Sequence, residues 1–326
     1  MINNKSVLLT GGTGSFGQKF VEIALTQYRP RRLIIFSRDE HKQQRMQEKF
    51  SPENYPCLRY FIGDIRDKER LQRAFSNIDI VIHAAALRTI PSCEYNPYEA
   101  VKTNILGTQN IIEAAINEKI SKLITISTDK AANPMNLYGA TKLCADKLFI
   151  NGNNYAGLNG PRFSVARYGN VLASRGNIIE YFLKSKKTGK IDITDPNMTR
   201  FWITLEQSID FVLNSLEVMQ GGEIFIPKIP SMSIGDIAKA LCPECEINIQ
   251  GIRPGEKMHE IMIPMNEAVN TYEFENYFVQ QPAYRFFERT KMTSNGVKVP
   301  PNFEYSSDTN TQWLNKEDLL KLINTK

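Results

Sequence analysis

The segment STDKAANPMNLYGATK, Ser127 to Lys142, brings an aspartate, two lysines and a tyrosine into one short stretch, and all four side chains can move protons. Tyr138 and Lys142 stand at i and i+4, so on a helix both point the same way. A lysine ammonium near the phenol, helped by the positive charge of a bound ligand, favours tyrosinate and lets Tyr138 act near neutral pH as a base toward a hydroxyl. Thr128, at the end of an apolar run, adds a hydroxyl beside them. A tyrosine and lysine suffice to oxidise an alcohol. Asp129 and Lys130 supply a second acid and a second base, as a further proton-transfer step such as loss of water would need. The alternative for that pair is a surface ion pair capping a loop.

Such groups work only if the chain places them. Strand patterns run over Val7 to Thr10, Arg32 to Phe36, Leu58 to Ile62, Ile80 to His83, Leu123 to Ser127 and Phe163 to Arg167. Helical patterns lie between them, at Gly17 to Thr26, Asp67 to Phe75, Tyr98 to Asn117 and Tyr138 to Phe149. This alternation predicts an α/β fold, a doubly wound parallel sheet with ligands at the carboxyl ends of its strands. After about Gly169 the rhythm breaks, and a further amphipathic helix is expected from Leu205 to Val218. The expected division is a dinucleotide-binding domain over 1–169, to which 203–226 returns, and a smaller mixed α/β substrate domain over most of 170–326.

VLLTGGTGSFGQKF follows the first strand and opens a helix, with Gly11, Gly14 and Gly17 spaced GxxGxxG and Thr13, Ser15 and Phe16 between them. Glycine is needed there because the backbone must turn tightly and approach a pyrophosphate held at the positive end of the helix. The second strand ends in Ser37-Arg38-Asp39. Ser37 and Arg38, with Lys42 a turn away, suit a ribose 2′-phosphate and hence NADP; if Asp39 instead accepts the ribose hydroxyls, the cofactor is NAD. Asp64 and Ile65 are expected at the adenine, and Ala84, Ala85 and Ala86 where the backbone must lie close to a cofactor.

Taken together, these motifs resemble the extended short-chain dehydrogenase/reductase superfamily. Within it PSCEYNPYEAVKTNILG, STDKAANPMNLYGATKLCADKLF, RYGNVLASRGN, MTRFWIT, GGEIFIPKIPSM, GIRPGEK and FEYSSDTNTQWL are similar to the inverting UDP-N-acetylglucosamine 4,6-dehydratases that begin pseudaminic acid synthesis, from Lys5 to about Leu322. The resemblance implies that Tyr138 takes the C4 hydroxyl proton as hydride leaves C4 for NADP. Lys130, if its surroundings deprotonate it, then removes the acidified C5 proton, and Asp129, if kept protonated, protonates the departing C6 hydroxyl. Hydride returns to C6, and C5 is reprotonated on the opposite face. It further implies that Asn104 serves the cofactor, that Arg88, Asn170, Val171, Arg175, Arg200, Arg253 and Glu256 hold the UDP-sugar, and that the protein is a homo-oligomer, a hexamer in this family. Two departures stand out. Thr128 precedes Tyr138 by only ten residues, a shorter loop than in the broad superfamily, and Arg88 replaces a more usual lysine. The rivals are a sibling inverting dehydratase for N-acetylfucosamine-type sugars, a retaining dehydratase, which would commonly carry Asp-Glu at Asp129-Lys130, and a catalytically silent NADP-binding regulator.

Composition narrows the class. The chain has 326 residues, 42% hydrophobic and 23% charged, with a net charge of +5 and no Lys/Arg block, which favours an anionic small ligand over nucleic acid. No apolar run approaches the roughly 18 residues of a membrane span, and Met1 to Ser6 lacks a basic leader, so no membrane association and a cytoplasmic location are expected. Five scattered cysteines argue against a secreted disulfide framework. Cys242 and Cys245 have CxxC spacing without two further ligands nearby, so a turn and no metal is expected.

Overall fold

The computed structural model describes residues 1–172, 178–284 and 295–324. Strand β1 (Ser6–Thr10) is buried at every position, as a central parallel strand covered on both faces must be. There follow α1 (Ser15–Gln27), β2 (Arg32–Ser37), α2 (Glu40–Lys49), β3 (Leu58–Ile62), α3 (Lys68–Phe75) and β4 (Ile80–His83). The chain then runs through α4 (Ile90–Tyr95), α5 (Pro97–Ala100) and one π-helical turn, Val101–Leu106, into α6 (Gly107–Asn117). Finally β5 (Lys122–Thr128), α7 (Leu137–Ala156) and β6 (Arg162–Tyr168) complete the first half.

Two elements differ from the sequence expectation for identifiable reasons. Helix α2 has no apolar period: EHKQQRMQEK buries only Gln43 and Met46, and its start is set by the Asp39 carboxylate, which accepts the Lys42 N–H. The helix expected over Tyr98 to Asn117 is interrupted by the π-helical turn, a feature that collects at functional sites.

The sheet order β3-β2-β1-β4-β5-β6 is parallel throughout. Strand β1 pairs with β2 on one side and β4 on the other, so the order reverses there and a crevice opens above the strand ends. Beyond β6 the strand Ile224–Pro227 joins in parallel, and Tyr277–Gln280, Thr271–Glu273 and Val297–Lys298 extend the edge antiparallel. The expected division placed these last three strands in the other domain. They instead prolong the first sheet, because the chain returns beside Ile224–Pro227. Between these excursions helix Leu205–Val218, opened by a Thr204/Gln207 capping box, packs on α1 and β5.

A second lobe has its own core, around Phe182, Ile191, Trp202, Ile237, Leu241 and Leu319. It carries the parallel pair Lys190–Ile193 and Glu246–Ile249. The cysteine pair lies here as a turn, with the Cys245 N–H donating to the Cys242 carbonyl at 3.1 Å. Among the described residues no helix is long and apolar enough to cross a membrane, and no group of three His, Cys, Asp or Glu side chains is placed to hold a metal ion.

Candidate functional site

A cleft of about 1550 Å³ lies between the strand ends and the second lobe, lined from Gly11 to Glu256. That exceeds the roughly 300–1,000 Å³ of an ordinary ligand pocket, leaving room for two extended ligands side by side. The fingerprint glycines explain one half. Gly11 has φ +67°, and a Cβ there would lie 2.8 Å from the Ala85 amide nitrogen, so the turn and the alanine strand end meet only because both are small. Gly17 does not reach the cleft: a Cβ on it would stand 2.2 Å from the Gly12 carbonyl, and its task is to seat α1 against the turn. Helix α1 starts at Gly14 with no side-chain cap and no acidic residue in its first turn, which keeps its amide end suited to an anion. Thr13, Gly14, Ser15, Phe16, Asp64, Ile65, Ala84, Ala85 and Ala86 all line this half, and the cradle fits a dinucleotide.

Both sequence alternatives stand at the end of β2. The Asp39 carboxylate accepts the Lys42 backbone N–H at 2.9 Å and pairs with Lys42 Nζ at 2.9 Å, so it caps its own helix. Ser37 accepts from Thr13 Oγ1 at 3.1 Å, and Arg38, with a side chain 57% exposed, stands 3.7 Å from Asp64. Ser37, Arg38, Asp39 and Lys42 all line the cleft. Asn104 does not join them. Its side chain exchanges two 2.8 Å hydrogen bonds with the Leu87 backbone and donates to Thr141 Oγ1 at 3.0 Å. Fully engaged and buried, it is a brace between the loop after β4 and α7 rather than a cofactor ligand.

The chemical segment is held by close packing. Asn136 caps α7 by accepting the Gly139 N–H at 2.8 Å, and a Cβ on Gly139 would lie 2.2 Å from the Lys130 carbonyl. The absence of that methyl lets the helix carrying Tyr138 approach the Asp129–Ala131 turn. Asp129 is buried; Oδ1 accepts from Thr128 Oγ1 at 2.9 Å and from Lys130 Nζ at 3.0 Å, while Oδ2 is buried without a hydrogen-bond partner. Lys130 Nζ also reaches Asn170 Oδ1 at 3.3 Å and Glu260 Oε1 at 3.4 Å. Burial alone would release its proton, but the two carboxylates outweigh that, and the pKa of Lys130 is raised. The expectation that its surroundings deprotonate Lys130 is therefore corrected: beside Asp129 and Glu260 it is an ammonium.

Tyr138 is pushed up to about 12, first by burial, and the cation acting most strongly to bring it down is Lys130. The sequence pointed to Lys142 for that task. Lys142 instead donates to the Ile126 carbonyl at 2.9 Å, and burial lowers its pKa, with Asp146 opposing. Behind it Ser127 donates to Asp146 at 2.7 Å, and Arg167 ties Asp146 (3.6 Å) to Glu267 (2.6 Å), fixing the ends of β5 and β6.

On the second half of the cleft Arg88, Asn170, Val171, Arg253 and Glu256 face the space expected of them, whereas Arg175 lies outside the described residues. Arg200 also lines the cleft, but it is 8% exposed; its terminal nitrogens donate to the Thr199, Met258 and Lys257 carbonyls, and Nε is 3.7 Å from Glu260. It is a clamp on the loop before Glu260, not an open fork for a diphosphate. Lys257 donates to the Ala132 carbonyl at 2.6 Å and Asn136 to the Gly255 carbonyl at 2.9 Å, so GIRPGEK docks directly on the catalytic turn. Glu260 and Lys257 had no readable role in sequence; their only signal is proximity to that motif.

The polysaccharide biosynthesis protein family model matches residues 7–282. The chain is 52% identical to the UDP-N-acetylglucosamine 4,6-dehydratase (inverting) of Campylobacter jejuni, over 99% of this chain and 98% of that one. It is 37% identical to a UDP-glucose 4-epimerase of Rickettsia rickettsii, over 100% and 97%. The solved structure of Pen from Bacillus thuringiensis superimposes with a TM-score of 0.91 at 36% identity, covering 99% and 98%.

Proposed function

The chain belongs to the polysaccharide biosynthesis protein family, and from that premise we propose that it is an inverting UDP-N-acetylglucosamine 4,6-dehydratase, a hydro-lyase. It converts UDP-N-acetylglucosamine to UDP-2-acetamido-2,6-dideoxy-β-L-arabino-hexos-4-ulose. The observation that carries this reading is the contact of the buried Asp129 with Thr128 and Lys130, which line the cleft together with Tyr138. A 4-epimerase needs the tyrosine alone; a second acid and base are what elimination adds.

NADP is the proposed cofactor, because Arg38 and Lys42 bring two cations beside Ser37 at the end of β2, and the Asp39 carboxylate, which lines the cleft with them, pairs with Lys42 at 2.9 Å. Bound in the cradle it would supply hydride exchange, accepting at C4 and returning to C6. The chain's own groups do the rest. Tyr138 takes the C4 hydroxyl proton, with the Lys130 charge and the Thr128 hydroxyl lowering its pKa. The Lys130 ammonium first passes a proton to Asp129 across their 3.0 Å contact, leaving a neutral amine and a neutral acid. The amine then removes the C5 proton, and the acid protonates the C6 hydroxyl as it leaves. This elimination restores the Lys130–Asp129 ion pair. Arg88 and Arg253 are assigned to the diphosphate, whose oxygens suit guanidinium forks. The product is placed at the start of pseudaminic acid synthesis, and a homo-oligomer, a hexamer by resemblance, is the proposed assembly.

The test is proton NMR of UDP-N-acetylglucosamine incubated with the protein in deuterated water. A C6 methyl signal, deuterium at C5 and L-arabino couplings support the reading. Retained D-configuration replaces it with a retaining dehydratase, and a C4 epimer without a methyl signal replaces it with an epimerase.

A further inference from the structure

Inversion at C5 sets a requirement that the groups named so far do not meet. A base that keeps the C5 proton remains beside the face it came from and can return it there, which gives retention. Lys130 Nζ has three oxygen neighbours: it donates to Asp129 at 3.0 Å and Asn170 at 3.3 Å, and it pairs with Glu260 at 3.4 Å. An amide cannot take the proton, and Asp129, which serves the C6 hydroxyl, would keep it within the same pair. Glu260 differs in position. It does not line the main cleft, but it lines a side pocket of about 140 Å³, and Lys130 stands on the wall that the two spaces share. Glu260 is 3% exposed, and its Oε2 is buried without a hydrogen-bond partner. Its backbone is fixed by Ser307, whose Oγ accepts the Glu260 N–H at 2.9 Å and whose N–H donates to the Glu260 carbonyl at 2.8 Å. That gives the SSD of FEYSSDTNTQWL a role.

Resting on the dehydratase reading above, we propose that Glu260 is the positioning and relay residue that drains the C5 proton from Lys130 into the side pocket, so that it is not returned to the face it left. The balance is simple. The C5–H bond breaks and its proton goes to the Lys130 amine; the ammonium gives a proton to the Glu260 carboxylate; the resulting acid gives it to water in the side pocket; C5 takes its new proton from water on the opposite face as hydride reaches C6, and water returns a proton to Lys130 before the next turnover. Arg200 stands 3.7 Å from the same oxygen, Oε1, and Lys257 4.0 Å from Oε2, so the carboxylate is held among three cations.

The experiment compares wild type, Glu260→Gln and Glu260→Asp on UDP-N-acetylglucosamine in deuterated water, reading C5 deuterium, C5 configuration, kcat and KM. In wild type the product carries C5 deuterium and the L-configuration. The expected E260Q result is a fall in kcat of about 10-fold or more, KM within about two-fold, and a new fraction of D-configured product with protium at C5; E260D recovers part of both. E260Q product with wild-type deuterium, configuration and kcat overturns the proposal while leaving the dehydratase reading intact. Loss of UDP binding and of the C4 oxidation in both variants makes Glu260 a structural support and also overturns it. Absence of turnover by wild type removes the dehydratase reading, and this inference with it.

Discussion

Gly139, in the middle of the catalytic motif, is the sharpest test of how the site is assembled. Its importance is one of approach, not backbone freedom: a Cβ built there lies 2.2 Å from the Lys130 carbonyl oxygen and 3.1 Å from Pro134 Cβ, where real Cβ atoms essentially never come closer than 3.0 Å. Gly139→Ala must therefore open the gap between α7 and the Asp129–Ala131 turn by about 0.8 Å. The contact is with backbone, so no flexible side chain can absorb the shift. Tyr138 sits on the moving helix and Asp129 and Lys130 on the turn, so the move changes their relative placement directly. Displacement on the order of 1 Å in a reacting constellation costs about 100-fold in rate, and overpacking of this kind costs about 1–3 kcal/mol in stability. The assay is the initial rate of C6 methyl formation by NMR, with a thermal melt and Cys144→Ala, an exposed change on the same helix, as control. Retention of kcat within two-fold in a folded G139A protein would refute the argument that this contact sets the catalytic geometry.

Three further outcomes are expected. Arg38→Ala raises the Kd for NADP about 10-fold, the worth of one charge-assisted hydrogen bond, and leaves NAD binding within about two-fold; equal effects on both would remove the 2′-phosphate assignment. His83 is buried beside Thr10 Oγ1 at 2.7 Å and pushed down to about 3, chiefly by burial, so it folds neutral. The unfolded chain binds the extra proton below the ordinary 6.5, so this group's contribution is full above pH 6.5 and declines as pH falls toward 3, by up to about 1.4 kcal/mol per pH unit; His83→Asn flattens that part of a denaturation-against-pH curve. Arg200→Ala, which frees three backbone carbonyls and removes one of the three cations around Glu260, lowers stability by about 3–5 kcal/mol in chemical denaturation, whereas Arg253→Ala, at an exposed position, raises KM for the UDP-sugar and moves stability by less than about 0.5 kcal/mol.

Local patterns were enough to reveal the frame. The apolar runs of β1 to β6 are parallel strands, buried except at the edge strand β3, and Gly11 and Gly17 announced a tight turn and a close-packed helix because no other residue fits either place. The identities of Asp129, Lys130 and Tyr138 are equally a matter of sequence, since each is the chemical group itself. What lay beyond reach came from two sources. Helix α2 and the antiparallel edge strands carry little apolar period of their own and exist because of a cap or a neighbouring strand. The state of the reactive groups depends in part on residues distant in the chain: Glu260 reaches Lys130 across 130 positions, joins Asp129 in holding it as an ammonium, and links it to a second pocket. Lys142, which motif spacing assigned to the phenol, and Asn104, which the family resemblance assigned to the cofactor, have their polar atoms turned to Ile126, Leu87 and Thr141. A sequence specifies which groups are present; protonation and reach follow from distance and burial, and those are fixed only when the chain closes on itself.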